Sequence, residues 1–253
     1  MRAFLINLDS ATDRWAFIQN SFRQSEVVLQ RVPAIDFKDL VFPHPEFDEH
    51  RYRRFHGRSV NPRELACYLS HLKAIRTFLA TGESHGMIAE DDVVLRADFD
   101  SVIAAALRYA GSWNILRLSG LGTGFPVRIA ALAGNYALCI NLARLKGTGA
   151  YMIDRYAAAT LLAQLRPMCV PYDHALDREW RWGPHAAYIQ PFPVSQSESP
   201  FLSSVQPGIY PKLSRIHRCL TTYPYQAWNE VSRWVVRAIY AIQQKILARP
   251  SRD

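Results

Sequence analysis

The sequence lacks a long apolar run: a membrane-spanning helix needs about 20 consecutive apolar residues, and no stretch approaches that length. The opening MRAFLINLDS has neither a long apolar core nor a small-residue cleavage site, so we expect no signal peptide. Cysteine is scarce and no CxxC pair occurs. The four thiols lie apart among apolar neighbours, at Cys67, Cys139, Cys169 and Cys219. This pattern argues against a disulfide scaffold and is typical of buried thiols in a reducing compartment.

Acidic residues are nearly absent from the end of the chain. Residues 1–211 hold 22 Lys and Arg against 20 Asp and Glu, whereas residues 212–253 hold 8 against 2. The positive charge is therefore concentrated in the tail, which favours contact with one anionic surface over a basic body that binds nucleic acid. We predict a globular domain over 1–211 and a basic helical extension over 212–253.

The apolar pattern of residues 1–211 predicts an α/β fold. A strand at 3–8, a helix in SATDRWAFIQNSF and a strand at 27–36 favour a mixed, mostly parallel sheet flanked by helices. Asn61 and Pro62 open a firm helix over 61–80. Further strands are predicted at 86–95, 113–120, 135–142, 149–154 and before residue 195. The Pro- and Ser-rich stretch 195–211 is typical of a mobile flap.

The tail contains an amphipathic helix. Its apolar face is formed by Trp228, Val231, Val235, Ile239, Ile242 and Ile246, and its polar residues are Asn229, Glu230, Arg233, Arg237 and Gln244. Three interpretations stay open at this point: the helix packs on the domain, lies in a membrane interface, or mediates self-association.

Three consecutive acids interrupt an apolar segment in HGMIAEDDVVLRADF, at Glu90, Asp91 and Asp92. In a strand, Glu90 and Asp92 would share one face while Asp91 points to the other. Two carboxylates on one face suit a hard divalent cation, which also relieves their repulsion. The alternative is a solvated strand end or a cluster of salt bridges.

Several motifs, taken in order, resemble glycosyltransferase family 25, which includes bacterial lipooligosaccharide galactosyltransferases and procollagen galactosyltransferases. They are FLINLDSATDRW, RELACYLSHLKAI, MIAEDDVVL, GTGAYMIDRYAAATLL and VPYDHALDREW, and they span most of residues 3–200. One departure is Arg63, which stands where the family motif has glycine. The resemblance implies a GT-A fold, a sheet that binds a nucleotide sugar and carries an acidic metal motif after a central strand.

The resemblance also implies roles for particular residues. Asp92, together with Glu90 or Asp91, would hold Mn2+ or Mg2+ at the donor diphosphate. His185 or His174 would complete the metal shell, unless each is structural. The donor-binding residues would be Asn7, Leu8, Asp9, Arg14, Ala34, Asp36, Ser70, His71 and Asp91. For Arg14 a turn-stabilising salt bridge, and for His71 a structural hydrogen bond, are the alternatives.

An inverting transfer needs a base that removes the proton of the acceptor hydroxyl. Asp173 in VPYDHALDREW is the first candidate and Asp177 the second. The alternatives are that Asp173 is an N-cap and that Asp177 pairs with Arg181 on the surface.

The resemblance thus implies a metal-dependent inverting hexosyltransferase, a β-galactosyltransferase that moves galactose from UDP-galactose to a lipooligosaccharide or lipopolysaccharide core glycan, with another UDP-hexose as the alternative donor. Its expected place is the cytoplasm, at the inner face of the cytoplasmic membrane through the C-terminal helix, with no nucleic-acid partner. The rival hypotheses are a nucleotidyl or phosphoryl transferase with the same acidic motif, and a non-catalytic protein that binds membrane or nucleic acid.

Overall fold

A computed structural model describes residues 1–122, 124–196, 199–201 and 210–247. Most of the predicted flap at 195–211 therefore lies outside the described residues. Among the residues that are described, no helix is both long and apolar enough to cross a membrane.

The strands are β1 Arg2–Asn7, β2 Val28–Pro33, β3 His85–Glu90, β4 Val94–Leu95, β5 Ile115–Arg117, β6 Pro126–Ala131, β7 Ala137–Asn141, β8 Ala150–Asp154, β9 Ala186–Gln190 and β10 Val194–Ser195. The α-helices are α1 Thr12–Ser21, α2 Glu49–His56, α3 Pro62–Leu79, α4 Phe99–Leu107, α5 Arg155–Gln164, α6 Tyr172–Leu176, α7 Arg215–His217 and α8 Tyr223–Leu247. Short 3-10 turns lie at Phe37–Asp39, Ala110–Ser112 and Glu179–Arg181, and a π-helical segment, Arg218–Thr222, joins α7 to α8.

Eight strands form one sheet in the order β2-β1-β3-β8-β5-β9-β7-β6. The pairings show that β7 and β8 run against the other six strands, which share one direction. The predicted mixed, mostly parallel sheet with flanking helices and a C-terminal helix is confirmed. The two remaining strands, β4 and β10, pair antiparallel in a separate ribbon.

One strand prediction was wrong in part, and one strand was missed. The strand predicted over 86–95 ends at Glu90, and Val94–Leu95 leaves the main sheet to pair with β10. The main-sheet strand therefore stops where the buried apolar run meets the acids. Strand β6 was missed because it is a short edge strand that begins at a proline and has only two large apolar residues, Val127 and Ile129.

Side chains of β1 alternate between two apolar layers, one on each face of the sheet. Phe4 packs with α3, α5 and α6, whereas Leu5 packs with α1 and α4. Helix α3 begins as predicted, with the Asn61 side chain accepting a hydrogen bond from the Arg63 N–H and Pro62 at the first position. This central packing fixes the ends of β1 and β3, where the polar residues of interest lie.

Helix α8 has the two faces that the sequence predicts, but its polar face is the one turned inward. Arg233 and Arg237 are buried, and the large residues of the predicted apolar face are exposed. Arg237 donates to Glu179 and Asp177, and Arg233 forms an ion pair with Asp177 at 3.0 Å. The Tyr240 hydroxyl also donates to the Ser112 carbonyl. The helix thus packs on the domain through ion pairs and through an apolar cluster in which Tyr240 and Ala241 meet Ile140 and Leu142.

Removing the positive charge of Arg237 should therefore destabilise the fold. Arg237→Met keeps most of the side-chain volume but leaves the buried Glu179 without its cation. We expect the free energy of unfolding in urea to fall by about 3–5 kcal/mol. Lys245→Met, an exposed change on the same helix, should stay within about 0.5 kcal/mol of the parent. Equal stability of the two variants would contradict the role given to these ion pairs.

Candidate active site

The carboxyl ends of β1 and β3 meet at one edge of the sheet. The two strands are parallel neighbours, and Ile6 of β1 lies opposite Glu90 of β3. Asn7 and Leu8 therefore reach the same place as the acidic triplet, although more than 80 residues separate them in the sequence. In open α/β sheets this edge is where ligands bind.

The acidic triplet occupies a strand end and the turn after it. Glu90 is the last residue of β3, and Asp91 and Asp92 form a turn, so the alternation expected for a continuous strand does not apply. Asp91 accepts hydrogen bonds from Asn7 Nδ2 at 2.7 Å and from Arg14 Nη1 at 2.8 Å. These two contacts fix Asp91 and balance its charge. Arg14 therefore forms a salt bridge, as its alternative role predicted, and the partner is Asp91.

The side chains of Glu90 and Asp92 accept hydrogen bonds from polar, uncharged side chains. Thr148 Oγ1 lies 3.3 Å from Glu90 Oε1, and Gln196 Nε2 donates to Asp92 Oδ1 at 3.0 Å. Burial, followed by the nearby Glu90 carboxylate, raises the pKa of Asp92 to about 6. The repulsion that made this triplet unusual in the sequence thus persists in the folded chain.

His71 lies beneath the triplet, outside the lining of either cleft described below. Its ring is fully buried and stacks on Tyr172 with centroids 4.1 Å apart. Nδ1 is 3.3 Å from the Tyr151 hydroxyl, and Nε2 is 3.4 Å from Glu90 Oε1. His71 therefore has the structural role that was the alternative to donor binding. Its link to the site is its contact with Glu90.

Cys67 lies one helical turn before His71 and was missed as a site residue. Ligand atoms of Cys67, His71 and Glu90 all lie within 4.8 Å of one another, a grouping that could hold a metal ion. The i, i+4 spacing of Cys67 and His71 was visible in the sequence. That spacing alone could not show that Glu90 completes the group.

Two clefts adjoin the acidic triplet. The narrow cleft, of about 110 Å³, is lined by Ile6, Asn7, Leu8, Arg14, Ala34, Ile35, Phe37, Arg63, Ala66, Cys67, Ser70, Glu90, Asp91 and Asp92. The wide cleft, of about 490 Å³, is lined by His56, Arg58, Glu64, Cys67, Glu90, Asp92, Leu121, Gly147, Thr148, Pro171, Tyr172, Asp173, His174, Gln196 and Phe201. Cys67, Glu90 and Asp92 line both, so they form a shared wall.

The narrow cleft brings together six of the residues predicted to bind the donor: Asn7, Leu8, Arg14, Ala34, Ser70 and Asp91. Ser70 also donates to the Ala66 carbonyl and accepts from the Ile35 N–H, which ties α3 to the segment after β2. The structure does not bring Asp9 or Asp36 into this lining. Asp9 is exposed and pairs with Arg31, and Asp36 caps the turn Phe37–Asp39.

Arg63 and Phe37 are narrow-cleft residues that the sequence did not single out. The Arg63 guanidinium lies 4.0 Å from the centroid of the Phe37 ring. Arg63 is the residue that departs from the family's glycine, and the departure adds a cation to the cleft wall. The sequence could not show this pairing, because no period relates residue 37 to residue 63.

Asp173 lies in the first turn of α6 and lines the wide cleft. Pro171 is the N-cap, so the capping alternative for Asp173 is wrong. The backbone N–H of His174 donates to Asp173 Oδ1 at 2.9 Å, and that of Gly147 lies 3.5 Å from Oδ2. The neighbouring His174 also lines this cleft, and burial lowers its pKa.

The structure corrects the prediction for Asp177. This residue ends α6 and turns away from the wide cleft, and its carboxylate is buried between Arg233 and Arg237 of α8. It lines neither of the two clefts. The predicted surface pairing with Arg181 is also wrong, because the partners of Asp177 are Arg233 and Arg237. Asp177 anchors the C-terminal helix.

The structure also corrects the prediction for His185 as a metal ligand. His185 precedes β9, which runs in the same direction as β1 and β3, so it lies at the opposite edge of the sheet from Glu90 and Asp92. Its ring stacks on Tyr240 with centroids 3.7 Å apart. The sequence could not show this, because strand direction and order depend on tertiary pairing.

Residues 1–124 match the model of glycosyltransferase family 25, described as an LPS biosynthesis protein. The match covers just under half of the chain and contains β1, α3 and the acidic triplet. It supports the family inferred from the sequence motifs, and with it a glycosyltransferase as the general class of enzyme. Asp173 lies beyond the matched residues.

No curated protein gives a significant match to this chain. Among solved structures, the crystal structure of A197 from STIV is similar at 13% identity and a TM-score of 0.41, covering 74% of this chain and 80% of that chain. A likeness this weak carries no argument about fold or function.

Neutralising Asp92 should stabilise the fold at neutral pH. Because the pKa of Asp92 is raised to about 6 in the folded chain, its ionisation lowers stability as the pH rises from the ordinary carboxyl range through 6. In EDTA, we expect Asp92→Asn to gain about 1–3 kcal/mol in unfolding free energy at about pH 7.5 and little at about pH 4.

Urea titrations at both pH values measure this difference. Glu26→Gln, an exposed carboxylate change on the same protein, is the matched control and should change stability little at either pH. A gain for Asp92→Asn that is equal at both pH values would contradict the electrostatic explanation.

Proposed function

We propose that this protein is a metal-dependent inverting glycosyltransferase of the GT-A type. It transfers a hexose, galactose from UDP-galactose, to a lipooligosaccharide or lipopolysaccharide core acceptor. The observation that carries the proposal is the wall shared by the two clefts, where Glu90 and Asp92 face both sides. A donor in the narrow cleft and an acceptor in the wide cleft would meet at this carboxylate pair.

The narrow cleft has the chemistry that a nucleoside diphosphate needs. Arg14, oriented by Asp91, and Arg63 supply cationic groups for phosphate oxygens. Ala34, Ile35 and the ring of Phe37 supply apolar surface for a flat base. An apolar cleft with a few converging charges is typical of nucleotide sites.

Glu90 and Asp92 fit a divalent cation such as Mn2+ or Mg2+. Their oxygens are the ligands that hard cations prefer, and the raised pKa of Asp92 reflects a repulsion that a cation would relieve. Cys67 and His71 offer softer atoms beside Glu90, so the same wall could also accept a softer ion. A bound cation would supply Lewis-acid stabilisation of the departing diphosphate.

Asp173 is the proposed base in the wide cleft. Its carboxylate is held by two backbone N–H groups, and it lines the same cleft as Glu90 and Asp92. In an inverting transfer, the acceptor hydroxyl gives its proton to this carboxylate while its oxygen attacks the anomeric carbon from the face opposite the diphosphate. The α-linked donor would then give a β-linked product.

Donor binding is tested by thermal unfolding with a panel of UDP-sugars, each with and without Mn2+. We expect UDP-galactose with Mn2+ to raise the melting temperature most, because ligand bound to the folded state stabilises it.

Product analysis with an acceptor glycan should show UDP and a glycosidic bond. Release of pyrophosphate would instead identify a nucleotidyl transferase, and Asp92→Asn should abolish metal-dependent UDP release.

The base assignment is tested by comparing two aspartates. Asp173→Asn should keep donor-induced stabilisation while lowering kcat about 10²–10⁴-fold, the usual range for a lost base. Asp177→Asn should lower the melting temperature, because it unpairs buried arginines, while folded enzyme keeps its turnover. A normal rate for Asp173→Asn would move the base to another residue.

A lipid-linked acceptor requires the enzyme to work beside a bilayer. We therefore include in the proposal a position at the inner face of the cytoplasmic membrane. The physical basis for such contact lies in the C-terminal helix.

A further inference from the structure

The largest run of exposed apolar side chains in the described part of the chain lies on α8. It consists of Trp228, Val231, Val235, Ile239, Ile242 and Ile246, here called the outer face, and each of these side chains is at least 46% exposed. At 1.5 Å per residue, the outer face is about 27 Å long. Ile216 and Leu220, just before α8, are exposed as well. A contiguous apolar surface of this size marks an interaction site.

The ion pairs on the opposite side of α8 hold the outer face toward solvent. Arg233 and Arg237 project inward to Asp177 and Glu179, and all four side chains are buried. Turning the helix to bury its isoleucines would separate these charges and leave them unpaired, at a cost of several kcal/mol. The fold thus presents the apolar face outward in its stable state.

The charges around the outer face are positive. Lys212 and Arg215 are exposed before α8, and Lys245 is exposed near its end. Glu230 is the only acid in α8, and it is engaged by Arg144 and Arg233. An antiparallel second copy would place basic end against basic end. Anionic headgroups instead complement this arrangement, and two exposed tryptophans of α8, Trp228 and Trp234, suit the boundary between water and acyl chains.

We infer that the outer face of α8 is a lipid-binding surface that lies flat in the headgroup region of an anionic bilayer. The apolar side chains enter the acyl boundary and the flanking lysine and arginine residues meet lipid phosphates. The inference stands on the helix alone and goes beyond the proposed catalytic function.

The start of the tail is fastened beside the wide cleft. Thr222 Oγ1 donates to the Arg54 carbonyl, and the Phe55 and Tyr225 rings stack with centroids 3.9 Å apart. Lys212 also forms a backbone bridge with Arg58, which lines the wide cleft. Lipid bound along α8 would therefore be near the cleft proposed for the acceptor, a consequence that does rest on the proposed function.

Cosedimentation of the full chain with vesicles tests the inference. We expect binding to vesicles of phosphatidylcholine mixed with phosphatidylglycerol, weaker binding to phosphatidylcholine alone, and weaker binding at high salt. Ile242→Glu should lower the partition coefficient at least about tenfold. Gln243→Glu adds the same charge at the next exposed position outside the outer face, so it should lower the coefficient much less. Thermal unfolding confirms that both variants are folded.

Three results would overturn the inference. They are no binding of the parent chain to anionic vesicles, equal loss of binding in Ile242→Glu and Gln243→Glu, and a dimer of the parent chain that Ile242→Glu converts to a monomer without any vesicle binding. The last result would assign the outer face to a second copy. Because the assay contains no nucleotide, metal or acceptor, its failure and the failure of the proposed transferase activity are distinguishable.

Discussion

Electrostatic crowding at the end of β3 is the constraint on which the rest of the site depends. Three consecutive carboxylates lie at the edge of a buried sheet, and the Arg14 guanidinium balances the charge of Asp91. Glu90 and Asp92 keep their repulsion, which raises the pKa of Asp92. A fold gains nothing from such an arrangement by itself. It becomes favourable when a cation and a polyanionic ligand occupy the adjoining space, as they would in the proposed transferase.

The two clefts beside Glu90 and Asp92 differ in the chemistry of their linings. The side with Arg14 and Arg63 suits an anionic donor, and the side with Asp173 suits a neutral hydroxyl acceptor. Cys67, Glu90 and Asp92 separate them, so a group transferred between the clefts must pass this wall. His71, stacked on Tyr172, contacts Glu90 from below without lining either cleft. In the proposed transferase, binding, transfer and support would thus fall to different elements.

A second set of charges determines the architecture of the C-terminus. Asp177 and Glu179 are buried and would be strongly destabilising without Arg233 and Arg237. Because these partners come from the polar face of α8, the apolar face is left outside. The same ion pairs that stabilise the domain therefore create the surface that we assign to lipid. Helix amphipathicity alone would have favoured the reverse packing.

Local patterns in the sequence determined the α/β class, helix α3 with its cap, the two faces of α8, and the importance of the acidic triplet. Those features depend on neighbouring residues, whose periodicity and charge can be read directly. Tertiary structure decided the rest. The direction of β9 placed His185 at the opposite edge of the sheet from the acidic triplet. Buried ion pairs with α8 took Asp177 out of the site, and the packing of α3 brought Cys67 and Arg63 to the clefts. The face on which α8 packs was likewise decided by charges distant in the sequence. An arginine is buried in an ion pair only if its acidic partner lies nearby in the fold, and the sequence around the arginine does not show that partner.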